Sequence, residues 1–94
     1  MKYWTKRGNK MKKVYVLIHK NKDDELDVQV FSDKETPTSK VMETMYGEDW
    51  EIQSADETWE LYGEIQNNLD TLWYGGEVWG DEESWTLVES ELQN

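Results

Sequence analysis

The sequence predicts an α+β domain: an antiparallel β-sheet in the order ββαββββ, with one short helix packed on one face. Three observations carry this. Much of the 94-residue chain falls into short runs of β-branched and aromatic residues with period-2 alternation. A single segment, at Thr36-Pro37, combines a helix-start signal with a helical apolar stripe. Polar or glycine-containing breaks separate the runs at spacings suited to hairpins.

Residues 1–10 (MKYWTKRGNK) read as a basic, flexible arm preceding a single domain over residues 11–94. Met11 followed by Lys12 and Lys13 has the form of a chain start, so the arm carries little functional weight. Val14 to Ile18 is apolar on both faces, as a central strand requires. After a polar turn at Lys20 to Asp24, Leu26, Val28 and Val30 alternate with Asp27 and Gln29, giving a half-buried strand antiparallel to the first. Thr36 is the expected N-cap and Pro37 the first helical residue. Val41, Met42 and Met45 form the stripe, and Gly47 occupies the stop position. A helix of about ten residues is too short to stand alone and must pack on the sheet.

The remainder reads as strands. Trp50 and Ile52 alternate with Glu51 and Gln53. Trp59, Leu61, Gly63 and Ile65 share one face, and Thr58, Glu60, Tyr62 and Glu64 the other. Gln66 to Asp70 makes a turn, and a strand from Thr71 to Trp79 is bent at Gly75-Gly76. Gly80 to Ser84 turns into a last strand from Trp85 to about Leu92. Trp50, Trp59 and Trp85 are expected in the core, with Leu72, Tyr74 and Val78 as a further core face.

Apolar residues are 36% of the chain and aromatics 13%, with six Trp and five Tyr, so a thin but real core is feasible. There is no Cys, which rules out disulfides and thiolate metal sites. No apolar run approaches the roughly 20 residues of a membrane helix, and a cytoplasmic location is expected.

Charge is the strongest signal. The formal net charge is −11, and six of the ten basic residues fall within the first thirteen positions. From Gly47 to Asn94 there are fourteen acidic residues and no Lys or Arg. One-signed surface repels itself and costs stability, so the pattern calls for a use.

Catalytic chemistry finds little support. His19 is the only histidine, and no nucleophile elbow accompanies it. Twenty-one carboxylates guarantee close pairs by chance, so no pair stands out as a general acid and base. The clusters Asp23-Asp24-Glu25-Leu26-Asp27 and Asp81-Glu82-Glu83 lack calcium-loop spacing and suit exposed turns, so no metal or other cofactor is expected. Phosphate would meet carboxylate on the folded body, which disfavours direct nucleic-acid binding. The expected activity is therefore binding rather than catalysis.

On a strand, residues i and i+2 stand about 6.6 Å apart, a scale similar to the through-space steps between duplex phosphates. Glu60 and Glu64 on one strand, and Glu89 and Glu91 on another, could therefore stand in for phosphates, with Asp81, Glu82 and Glu83 extending the array from a hairpin tip. Tyr62 lies between Glu60 and Glu64, and Trp73 and Trp79 flank Glu77 on one face. A partner's Arg and Lys could pair with the acids and stack on the rings. The candidate partner-binding residues are thus Glu60, Tyr62, Glu64, Trp73, Glu77, Asp81, Glu82, Glu83, Glu89 and Glu91.

In size, charge and aromatic content the chain resembles the small acidic inhibitors that phages deploy against host defence. Anti-CRISPR proteins, anti-restriction proteins and glycosylase inhibitors acting as nucleic-acid mimics are examples. The resemblance is one of composition over Lys12 to Asn94, without a shared motif. It implies a basic partner, a nucleic-acid-binding protein or nuclease complex whose groove is occupied. The alternative is a small interaction domain, homodimeric through a strand edge or a Trp face, with a generic solvated acidic surface.

Overall fold

Alternation along two long strands organises the molecule, which a computed structural model describes for residues 11–93; the expected basic arm lies outside the described residues. β1 (Met11–Lys20) pairs antiparallel with β4 (Glu83–Gln93) along its whole length, Leu17 opposite Leu87 and His19 opposite Trp85. β2 (Leu26–Phe31) joins the other edge of β1, and β3 (Glu77–Gly80) joins β4. The result is a four-stranded antiparallel sheet in the order β2-β1-β4-β3.

Three helices lie between β2 and β3 in the chain: α1 (Glu35–Tyr46), α2 (Trp50–Ala55) and α3 (Tyr62–Trp73). The α+β class agrees with the sequence reading, but the order is ββαααββ rather than ββαββββ. The two expected strands at Trp50–Gln53 and Thr58–Ile65 are helical or turn, and the expected turn at Gln66–Asp70 lies inside α3. Leu61, Ile65, Leu69 and Leu72 recur at spacings of four, four and three, a helical stripe that continues past the period-2 stretch. Ile65 and Leu72 are fully buried on it, and that burial overrides the weak helix preference of Asn67-Asn68.

Gly75-Gly76 is a helix stop, not a strand bend. The Gly75 N–H donates to the Leu72 carbonyl (3.2 Å) and the Gly76 N–H to the Thr71 carbonyl (2.7 Å), with Gly75 at φ 87°. Only the residues from Glu77 onward form a strand. In α1 the Thr36 N–H and hydroxyl both donate to the Asp33 carboxylate (2.9 and 2.8 Å), so Asp33 caps the helix in place of Thr36. Gly47, at φ 92°, ends it through an N–H···O bond to Glu43 (2.8 Å).

The core lies between the helices and one sheet face: Leu17, Val41, Met42, Ile65, Leu72, Val78, Trp85 and Leu87. Trp85 is buried as expected, Trp50 half-buried, and Trp59 exposed. Tyr74 is also exposed, although Leu72 and Val78 are core. The parity expected for β2 is reversed. Val28 faces Ile18 and Val30 faces Val16 across the ladder, on the side away from the helices, so Leu26, Val28 and Val30 are exposed. Gln29 and Phe31 take the inward positions.

Candidate partner-binding surface

The densest acidic run of the sequence falls on the corner made by the turn before α2, α2 itself, the loop after it and the first turn of α3. Glu48, Asp49, Glu51, Asp56, Glu57, Glu60 and Glu64 are all exposed there, and the last Lys or Arg in the chain is Lys40. α2 has no fully buried residue. It is held at its start by half-buried Trp50, which packs on the core, and near its end by Gln66, whose side-chain amide donates to the Ser54 carbonyl.

The loop is built rather than slack. The Asp56 carboxylate accepts from the Thr58 hydroxyl (2.7 Å) and N–H (3.0 Å), and these bonds hold its carboxyl below the usual range. The Trp59 N–H donates to the Asp56 carbonyl and the Tyr62 N–H to the Trp59 carbonyl. The outcome is an indole presented to solvent, 46% exposed, in an acidic run that also carries Ile52 at 64% and Leu61 at 39%. Exposed apolar groups interspersed with like charges suit a partner that is basic and partly apolar.

Glu64 anchors this corner. Its carboxylate accepts from the Tyr46 hydroxyl (2.8 Å), which in turn accepts from the Asn68 amide, joining α1 to α3. Burial, and then the Glu64 hydrogen bond, push the Tyr46 hydroxyl up to about 12 from 10.0.

The ten residues expected from the sequence do not form one array. Tyr62 and Glu64 lie in the first turn of α3 and Glu60 in the turn that precedes it, so Glu60 and Glu64 share no strand. Asp81 and Glu82 form the tip of the β3–β4 hairpin, both with positive φ (53° and 67°). Glu83 begins β4 instead of belonging to the turn, and its carboxylate meets His19 Nε2 at 2.6 Å. The His19 ring stacks on Trp85, with centroids 5.0 Å apart. Glu77 lies on the open sheet face and accepts from the Trp79 indole N–H (2.9 Å).

Trp73 ends α3 and does not share a strand face with Glu77. It instead meets Glu89 in a groove with about 350 Å³ of water-accessible space, together with Lys34 and Tyr74. The Lys34 ammonium lies 4.4 Å above the Trp73 ring, so one face of that indole already holds the chain's own cation. Glu89 pairs with Lys13 at 3.6 Å, and exposed Glu91 follows on β4. Glu83 and Glu89, six residues apart on one strand, are separated by about 20 Å.

The exposed residues of this corner that the sequence reading did not single out for binding are Glu48, Asp49, Glu51, Ile52, Asp56, Glu57, Trp59 and Leu61. Acid density alone marks the five acids among them, since seven carboxylates between positions 48 and 64 exceed any other window of similar length, but it gives no signal for Ile52, Trp59 or Leu61. Among the described residues, no group of three or more His, Asp or Glu converges to hold a metal ion. Comparison with protein-family models, curated proteins and solved structures returns no match, so the functional reading rests on this chain's own surface.

Proposed function

We propose that the protein acts by binding, using the acidic α2–α3 corner to occupy the basic groove of a nucleic-acid-binding protein or nuclease complex as a nucleic-acid mimic. The observation that carries this is the run of seven exposed carboxylates from Glu48 to Glu64, uninterrupted by any base and containing exposed Ile52, Trp59 and Leu61. Carboxylates steer a cationic surface at long range, while the indole and aliphatic groups supply contact once water is expelled.

The hairpin tip supports the same reading. Non-glycine residues in the left-handed region cost on the order of 1 kcal/mol each, and such strain concentrates at functional sites. Asp81 and Glu82 both adopt it. A partner could engage the corner and the tip separately, since a groove that follows a nucleic-acid backbone is long.

The test is a pull-down from bacterial lysate with the wild-type chain and a Glu57→Lys/Glu60→Lys variant as baits. The reading expects a basic nucleic-acid-binding protein on the wild-type bait, lost on the variant and lost again in high-salt washes. Equal recovery by both baits would refute the assignment to this corner.

A further inference from the structure

The sheet has a second face, and the helices do not cover it. Leu26, Val28 and Val30 are 66%, 56% and 62% exposed there, joined by Trp79 at 57% and Val88 at 40%. The ladder places Val16 between Val30 and Val88, and Ile18 beside Val28, with Val14 one step along β1. Together these side chains leave an open apolar strip, the kind of surface that marks an interaction site when it is contiguous.

We infer that this face is a docking surface for a second copy of the chain, making a face-to-face β-sandwich dimer with the helices and the acidic corners outermost. Charge selects that occupant. Asp27, Glu83, Glu89 and Glu91 have the helix-side parity, sharing it with buried Leu17, Trp85 and Leu87. The open-face parity of the strands carries Lys12, Lys20 and Glu77, a single acid against two bases. A chain of net charge −11 repels its own copy on balance, and this apolar, near-neutral face is one where two copies approach at low electrostatic cost.

The face also suits self-pairing. Its apolar part is a strip along β1 and β2, while Ser84, Thr86 and Ser90 make the β4 side more polar. An isologous dimer lays strip on strip, and two twisted sheets pack in this way about 10 Å apart. Each copy then offers its own acidic corner, so the dimer is divalent.

The test is mass by light scattering on the full chain across about a hundred-fold dilution, at about 0.05 M and about 0.5 M salt. Wild-type protein is expected to give twice the 11.2 kDa chain mass at high concentration, with Kd falling several-fold as salt rises. Partner capture by the corner responds to salt in the opposite sense, so failure of one idea is distinguishable from failure of the other. Val28→Lys/Val30→Lys should weaken the dimer at least 100-fold. Val28→Thr/Val30→Thr keeps β-branching, protects the fold and should weaken it about 10-fold. Ser39→Lys, exposed on α1, should leave it intact. A wild-type monomer at every concentration would overturn the inference, and so would Val28 and Val30 methyls shielded from solvent in such a monomer, which would seat another part of the chain on the face. An undiminished dimer in both valine pairs, or its loss in Ser39→Lys, would overturn it as well.

Discussion

Glu43 and Asp70 offer a direct test of whether the one-signed surface is held against the interests of stability. Each lies in the last turn of a long helix, Glu43 in α1 and Asp70 in α3, and neither helix has a basic residue there. Their own carbonyls accept the capping N–H groups of Gly47 and Tyr74, so each carboxylate stands beside the negative end of its helix. Both side chains are exposed and free to be replaced. An acid at this end costs about 0.3–1 kcal/mol, and a lysine regains a similar amount, so each reversal is worth about 1 kcal/mol and the pair about 2 kcal/mol. Two reversals also shift the net charge of −11 by +4, to −7, which relieves general repulsion in the same direction. For a domain of this size 1 kcal/mol moves Tm by about 4–8 °C, so Glu43→Lys/Asp70→Lys should melt about 10 °C higher. The assay is thermal unfolding by circular dichroism at low and high salt, with the gain shrinking as salt screens the dipole. An unchanged or lower Tm, or a gain indifferent to salt, would refute the reasoning.

The helix stop gives a second prediction: a Cβ at Gly76 would lie 2.7 Å from Thr71 Cγ2 and 3.0 Å from the Thr71 carbonyl oxygen. Gly76→Ala should therefore cost about 1–3 kcal/mol, read as a lower urea midpoint at unchanged slope. At the β3–β4 tip, Asp81→Asn/Glu82→Gly supplies residues that accept positive φ and should raise stability by about 1 kcal/mol in the same titration. Tyr46 predicts the alkaline limit. Its folded value of about 12 exceeds the ordinary 10.0, so its contribution is complete below pH 10 and is lost as pH rises from 10.0 towards about 12. Spectrophotometric titration should show one late tyrosine, missing in Tyr46→Phe, and that variant should lose part of the stability difference between pH 9 and pH 12.

Legibility in the sequence followed how many alternatives each pattern left open. β1, β2 and α1 were readable because their punctuation is local: a polar hairpin turn, and a capped helix stopped by Gly47. Trp59, Leu61, Gly63 and Ile65 satisfied period 2 over a stretch shorter than the helical stripe Leu61-Ile65-Leu69-Leu72, and Gly75-Gly76 fitted both a strand bend and a helix stop. Those ambiguities turned helices into strands on paper and moved Glu60 and Glu64 off a shared ladder. Inward and outward parity was the other loss. Val28 and Val30 are the apolar members of their strand, yet the ladder with β1 turns them away from the helices. No pattern within β2 alone can show which sheet face receives helices. The charge asymmetry survived intact, because the absence of bases after Lys40 does not depend on secondary structure.

The carboxylates of the corner belong to turns and helix starts, where the backbone N–H groups of α2 and α3 favour negative charge. The fold thus tolerates acids at Glu51 and Glu64 more cheaply than at Glu43 and Asp70, and the corner is where a dense negative surface costs least.

The central claim, that this acidic corner takes the place of a nucleic acid on a basic partner, is tested most directly by competition. Partner captured on the wild-type bait would be titrated with its own nucleic-acid ligand at low salt. Mutual exclusion, with Glu57→Lys/Glu60→Lys unable to displace the nucleic acid, is the predicted result; a stable ternary complex of chain, partner and nucleic acid would contradict it.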